Sequence, residues 1–452
     1  MRRGAEPSKL SRDALLPVPR TPRALAFSFA PALVGCSADD PTEPGCTACD
    51  EPVAVTVGEG HACALTQQGR IACWGANESG QLGQGHTRAI DPVEERPAFV
   101  DLGASRSVMQ VAAGPPFTCA LRDDTPGRCW GQNGSGRFGQ GATNSRGDGP
   151  AEMGDDLAPV LDASGQPLLA RAIAAGQGTA CVIDLEDRVR CWGNNSYGQL
   201  GPHETNVNVP RPTGAVDVGT GVVPKQIEIG GPGGAHRCHR LEGSRSGLKC
   251  WGYNGVGALG RGNIEPLGPD ELGDAMPWVD LGSAFGPAPD QARVAAIALG
   301  HRSSCALSQE GAVKCWGYGK YGLGSTSEDL GNEPGEMGDA LEPVPLGGAA
   351  VGLFAGGFHF CAILKDQTVH CWGRNDAGQL GLDATGDRGV APGDGLGAAI
   401  DINRVTGGAG DELASCVLAA SELRCWGGGV LGGGLGEAAG EMAQTRAFVL
   451  EP

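Results

Sequence analysis

An all-β, seven-bladed β-propeller is the fold this sequence predicts, and three observations carry it. The token Cys-Trp-Gly returns seven times, at Cys73, Cys129, Cys191, Cys250, Cys315, Cys371 and Cys425, at intervals of 56, 62, 59, 65, 56 and 54 residues. Each copy keeps a second Cys ahead of it and a turn glycine five residues past its own Gly: Gly80, Gly136, Gly198, Gly257, Gly322, Gly378 and Gly432. Short alternating runs separated by Gly-marked turns fill each unit, and no helical period of comparable length competes. A unit of about 58 residues with four such runs has the size of one blade of four antiparallel strands.

In chain order, residues 1–35 read as a leader and a signal peptide. The apolar run Ala24 to Gly35 follows Arg20 and Arg23, is interrupted by Pro31, and is too short to span a bilayer. Leu33-Val34-Gly35-Cys36 resembles the lipobox of bacterial lipoproteins, which implies lipidation of Cys36 as the mature N-terminus. Glu6 and Asp13 suit a signal n-region poorly, which places the true start nearer Val18. Residues 36–52 form a polar, Pro-containing tether with no reason to fold. Within it, Cys46 and Cys49 read as a small local disulfide. No helix follows to make Cys-x-x-Cys a redox motif, and no second pair completes a zinc site.

Residues 53–452 are the propeller. Each repeat opens with a short strand such as Val111 to Gly114 or Ile173 to Gly176. Two alternating strands follow, as in Ala62 to Thr66 and Arg70 to Trp74, joined by a turn carrying Gly69. Next come the turn Asn77 to Gly83, a variable acidic loop, and a Pro-flanked strand such as Pro97 to Leu102. The pattern A-L-x-x-x-G-x-V-x-x-W-G-x-N-x-x-G-Q-L-G resembles the repeat of the RCC1 family, named for a regulator of chromosome condensation, and the resemblance implies a seven-bladed propeller. Arg446 to Leu450 match Arg96 to Val100, while the strand that should follow them stands at the front as Val55 to Gly58. One blade completed by both termini is therefore expected to close the ring and remove its open edges.

Glycine is abundant (78 residues) and aromatics sparse (5%), so apolar burial per residue is modest and backbone ordering is costly. Sulphur is the expected support. The pairs Cys63/Cys73, Cys119/Cys129, Cys181/Cys191, Cys238/Cys250, Cys305/Cys315, Cys361/Cys371 and Cys416/Cys425 each flank one hairpin turn and face each other across the ladder. Turn length varies, with spacings of 10, 12 and 9, yet both cysteines recur in all seven units; this favours seven intra-blade disulfides over buried reduced thiols. Fourteen blade cysteines, two in the tether and Cys36 account for all 17. Such usage points to an oxidising compartment, hence to an exported protein: a bacterial outer-membrane or cell-surface lipoprotein, or a secreted one.

A net charge of −18 repels phosphate backbones and anionic lipid, so neither nucleic acid nor a membrane surface is an expected partner, apart from the lipid anchor. A monomer is expected. No catalytic, metal or cofactor site is read from the sequence. Gly134 to Gly139 and Gly255 to Gly260 spell G-x-G-x-x-G but are the recurrent turn after Trp, with no helix to follow. His61, His236 and His359 each stand two residues before a blade's first Cys, where a structural hydrogen bond is a simpler role than a shared metal. Asp383, Asp387 and Asp394 lack calcium-loop spacing. The seven Trp after Cys read as blade core. Plant ultraviolet receptors of the resembled family carry further Trp before A-L, which this chain lacks.

The loops His86 to Glu95, Ala142 to Asp156, Arg261 to Ala275, Ser325 to Ala340 and Leu382 to Leu396 leave their blades at one register and should crowd one rim, where such insertions build a binding face. Acidic tokens recur there, as Glu152-Met153-Gly154-Asp155, Glu271-Leu272-Gly273-Asp274 and Glu336-Met337-Gly338-Asp339. The expected function is non-enzymatic: an envelope-anchored propeller that binds a protein or glycan through this rim. The alternatives are an enzyme inhibitor, a hydrolytic propeller with its site at the central channel mouth, and a purely structural surface protein. The resembled family includes a nuclear exchange factor for a small GTPase and secreted bacterial inhibitors of β-lactamases. Export argues against the first role, and no residue identifies the second.

Overall fold

The computed structural model describes residues 50–428 and 446–448, apart from 93–94, 104–106, 125, 202–207, 232–234, 268, 322, 325–327, 383, 392–393, 397–398, 401, 403 and 421. The leader, residues 36–49 of the tether with Cys36, Cys46 and Cys49, and also Gly322 and Gly432 lie outside the described residues; the end of the tether is ordered, with Asp50 buried and paired to Arg70 and Pro52 opening the first strand.

Seven antiparallel sheets follow one another along the chain, each an up-and-down meander. The first is β1 (Pro52–Gly58), β2 (His61–Thr66) and β3 (Ile71–Gly75); the second β4 (Val108–Gly114), β5 (Phe117–Arg122) and β6 (Gly127–Gly131). The third is β7 (Ala170–Gly176), β8 (Thr179–Asp184) and β9 (Val189–Gly193); the fourth β10 (Val222–Ile229), β11 (His236–Gly243) and β12 (Gly247–Gly252). The fifth is β13 (Val294–Leu299), β14 (Ser303–Ser308) and β15 (Val313–Gly317); the sixth β16 (Ala350–Ala355), β17 (His359–Leu364) and β18 (Val369–Gly373). The seventh is β19 (Val405–Gly410), β20 (Ala414–Ala419), β21 (Glu422–Gly427) and β22 (Arg446–Phe448).

The outer strand departs from expectation. Only the seventh sheet has a fourth strand among the described residues; elsewhere the outer edge is reduced to a bridge, as Ala72 with Phe99, or a lone hydrogen bond, as Val279 N to Leu248 O at 2.9 Å. The physical reason is the proline beside these segments, at Pro97, Pro159, Pro277 and Pro343, which removes a ladder donor. Nor do the described residues form a sheet shared by both ends of the chain. β1 pairs with β2 in the first sheet, and β22 pairs with β21 in the last. The two end sheets meet face to face instead, with β1 against β19 on one side and β4 on the other.

Burial explains the layering. Every middle strand except the far end of β11 is buried at all positions, because both of its faces are covered by neighbouring blades. All seven Trp are within 1% of full burial. Each such indole removes roughly 150–250 Å² from water, on the order of 4–6 kcal/mol before conformational entropy is subtracted. Each inner strand also carries a one-residue bulge near its start, as at Pro52/Ala54 and Val108/Gln110, a twist-increasing device that no sequence signal announced.

Cysteines face one another as expected: Cys63 with Cys73, Cys119 with Cys129, and so through all seven hairpins. The sulphurs of every pair stand 2.01–2.12 Å apart.

Candidate functional site: the loop-bearing rim

The Gly of each Cys-Trp-Gly ends its strand at the same end of the blade as the turn between the first two strands. Bridges from that Gly hold the loop roots there: Gly75 to Ile90, Gly131 to Arg146, Gly193 to Val209, Gly317 to Leu330 and Gly373 to Arg388. One rim therefore carries the roots of the long loops.

A buried Asn sets four of the roots. Asn77 Nδ2 donates to the carbonyls of His86 (2.6 Å) and Arg88 (3.0 Å), while its Oδ1 accepts from Leu82 N (3.0 Å). Asn133, Asn254 and Asn375 repeat this with the carbonyls nine and eleven residues on. The same turns contain the two G-x-G-x-x-G stretches; their glycines at 136, 139, 257 and 260 adopt positive φ, and a loop rather than a helix follows each turn.

The acidic tokens are absorbed by the scaffold. Glu152 Oε2 accepts from Gly147 N and Gly149 N, both at 2.9 Å, and Glu336 Oε2 from Gly331, Asn332 and Glu333 N at 2.9–3.1 Å. Gly154, Gly273 and Gly338 then donate to the carbonyls of Asp101, Asp217 and Asp280 on the preceding blade. The basic residue before Cys-Trp caps the token from below: Lys249 Nζ reaches Gly273 O at 2.7 Å and Lys314 Nζ reaches Gly338 O at 2.9 Å. Burial holds both ammonium groups below the ordinary lysine range. Of the three loop aspartates, Asp387 accepts from Asn375 N at 2.9 Å, and Asp383 lies outside the described residues.

The three histidines sit in three separate joints between blades. His61 Nε2 meets Thr118 Oγ1 (2.9 Å), His236 meets Ser304 Oγ (3.0 Å), and His359 meets Ser415 Oγ (2.7 Å). Each hydroxyl donates onward to the carbonyl of Gln81, Ala258 or Gln379, which also accepts the indole N–H of Trp130, Trp316 or Trp426. With its proton committed, the hydroxyl must accept, so the imidazole carries its hydrogen on Nε2. Burial pushes the rings down to about 4 for His61 and about 3 for His236 and His359. The chemistry is that of neutral structural donors.

At the axis, Glu228 on β10 accepts from Gln226 Nε2 at 2.8 Å, and burial pushes it up to about 7. Among the described residues no second carboxylate contributes to that shift.

The rim's own side chains supply what sequence reasoning missed. All four tyrosines of the chain (Tyr197, Tyr253, Tyr318, Tyr321) stand within six residues of a Cys-Trp-Gly, in three consecutive repeats. Tyr197, 53% exposed, packs edge-on to Tyr253 with centroids 5.4 Å apart. The guanidinium of exposed Arg302 lies 5.4 Å from the Tyr253 ring. In the next blade, Phe358 packs on His301 at 4.8 Å and lies under Arg374 at 5.8 Å, with Arg374 also paired to Asp376 at 2.5 Å. An aromatic and cationic track thus crosses four adjacent blades of an acidic molecule. The clustering of a rare residue was its readable signal.

Fold and site together define the class: an all-β propeller of seven repeated sheets, with long loops rooted on one rim. The repeat signature described as "Regulator of chromosome condensation (RCC1) repeat" matches residues 53–81, 170–199, 294–323 and 351–379, and a second signature of the same description matches 68–121. RCC1 repeats are thus matched at those places in the chain, and the chain is similar to RCC1-family proteins.

Among them, the ultraviolet-B receptor UVR8 of Arabidopsis thaliana is 26% identical over 73% of this chain and 66% of its own length. The human E3 ubiquitin-protein ligase HERC2 is 27% identical over 74% of this chain but 5% of its own length. This chain thus spans less than two thirds of either relative. Of solved structures, human WBSCR16 superposes with a TM-score of 0.62 at 20% identity, covering 82% of this chain and 87% of that one. Prp20p of Saccharomyces cerevisiae superposes at 0.56 and 19%, covering 80% of each. At those identities the likeness concerns the fold.

Proposed function

We propose that this protein is a non-enzymatic, exported propeller that binds a protein partner through the loop-bearing rim. The observation that carries the reading is the track Tyr197, Tyr253, Arg302, Phe358 and Arg374. Tyr and Arg are enriched among the few residues that carry most of the energy at protein interfaces: Tyr buries large area at low entropic cost, and Arg satisfies several polar groups at once. The solved relative Prp20p is described with its binding to Gsp1p and histones, and Prp20 is also seen bound by Kap60, so propellers of this fold engage proteins.

In this reading seven intra-blade disulfides brace the ring, and the first and last blades close it through β1 and β19. The outer segments act as reduced fourth strands. Cys46 and Cys49 pair in the tether, and lipidated Cys36 holds a monomeric propeller at a bacterial outer membrane or cell surface. The seven cysteine pairs support an oxidising location.

The test is capture of envelope partners on the soluble chain lacking residues 1–36, followed by titration of the captured protein. Tyr253→Ala with Arg302→Ala should weaken binding at least tenfold, about 1.4 kcal/mol, with unchanged thermal stability. Affinity that ignores this pair but follows substitutions on the opposite rim would overturn the assignment. For the anchor, a Cys36→Ser protein should leave the membrane fraction.

A further inference from the structure

Three joints between blades pair a histidine at the start of one middle strand with a hydroxyl on the second residue of the next: His61 with Thr118, His236 with Ser304, His359 with Ser415. The joint between the third and fourth blades holds a cation at that place instead. Thr179 stands in the histidine position, and Arg237 stands where those three joints have Thr or Ser. Arg237 is fully buried, and its Nη2 donates to Thr179 Oγ1, while its Nε and Nη1 have no protein partner. Two residues along the same strand face lies His239, also fully buried, with neither ring nitrogen partnered. Its ring packs on Trp251 at 4.3 Å. The corresponding residues in the other blades are Ala64, Ala120, Val182, Ala306, Ala362 and Val417.

The surroundings make this costly. Across the ladder stand apolar residues, Ile229 and Trp251 opposite Arg237 and Ile227 opposite His239. Among the described residues no carboxylate offsets the guanidinium: burial alone pushes it down to about 9, and Arg237 in turn helps push His239 down to about 3. A further buried cation opposite His239, Lys249, is already taken up by the carbonyls of Val218 (3.1 Å) and Gly273 (2.7 Å). A guanidinium does not deprotonate in proteins, so an unpaired one in an apolar joint demands a counter-charge.

We propose that this joint is a structural site for a small monovalent anion of the halide class, chloride in practice. Arg237 Nε and Nη1 are its charged donors, and the His239 N–H is a further one. The blades touch close by, where a Cβ on Gly176 would come within 2.1 Å of Ile229 Cγ2, and that tightness favours a small anion over a bulky oxyanion. The anion neutralises a charge the fold has buried and locks the third blade to the fourth.

The test uses the full chain with chloride and bromide as probes. Crystals grown in bromide should show an anomalous peak within hydrogen-bonding reach of Arg237. The unfolding temperature should rise saturably by about 1–3 °C in sodium chloride over sodium gluconate at equal ionic strength. Arg237→Ser, which installs the residue of the fifth and seventh blades, should abolish that difference, and His239→Val should reduce it. Density at Arg237 without anomalous signal would identify ordered water and overturn the proposal. So would equal unfolding in both salts, or a chloride effect that survives Arg237→Ser. If that variant does not fold, the bromide experiment on the native chain decides alone.

Discussion

At the residue scale, the joints between blades work by matched pairs. Bulk meets smallness where Phe117 faces Ala180 in one cluster, and Ala414 meets Ala62 at the joint between the last and first blades. That last joint is spanned by Asp411, whose Oδ2 accepts from Gly60 N at 3.0 Å and whose Oδ1 accepts from Leu413 N and Ala414 N. Titration follows from burial. The rings of His61, His236, His239 and His359 stay neutral in the fold but take up protons in the unfolded chain below about pH 6.5. Their stabilising effect is present above that pH and is lost as pH falls toward 3–4. Asp411 and Glu228, raised to about 6 and about 7 by burial, act oppositely: their contribution is present below about pH 4 and is lost as pH rises through those values. Four rings outweigh two carboxyls, so acid should destabilise the protein. His359→Gln keeps a donor for Ser415 yet cannot titrate. Its stability should therefore fall less steeply between pH 6 and 4, by about 1.4 kcal/mol per pH unit. Urea unfolding at several pH values reads this directly, and an unchanged slope would mean the ring is protonated in the fold.

The hairpin is the stabilising element, and the loop root is the functional one. Each cysteine pair closes a short loop, worth about 2–3 kcal/mol when the strands would otherwise separate freely. Cys305→Ala with Cys315→Ala should cost up to that amount in denaturant unfolding. Non-reducing peptide mapping should recover seven within-blade bridges; a bridge between blades would contradict the register seen here. Loop roots depend on buried amides rather than on strand pairing. Asn375→Ala strands the carbonyls of Ala384 and Gly386 and the N–H of Leu380, a loss of about 1–3 kcal/mol. Limited proteolysis should then cut between residues 382 and 396 before any other loop, and uniform resistance there would show that the amide anchors nothing.

Across the whole molecule, seven near-identical environments imply uniform stability. Each blade contributes one meander and a fully buried Trp, and repeat proteins distribute stability as a sum of units and interfaces. Amide exchange should be slowest, and alike, in β2, β5, β8, β11, β14, β17 and β20, while the outer segments exchange early because one or two bonds hold each. One middle strand exchanging orders of magnitude faster than the rest would show that the blades do not share the load.

Hairpins, cysteine partners and the tryptophan core were legible because the interactions that make them span about ten residues and recur seven times, so periodicity alone exposes them. The outer strand was overestimated, since a Pro-flanked run reads as a strand whether or not its ladder survives. Invisible in one dimension were the joint pairs, whose members lie some 56–68 residues apart in different repeats. The same distance hid the orphaned guanidinium of Arg237 and the alignment of Tyr253, Arg302 and Phe358 along one rim. Local chemistry determines what each blade is. Only when blades stand side by side is it decided which buried groups find partners and which surface is left for another molecule.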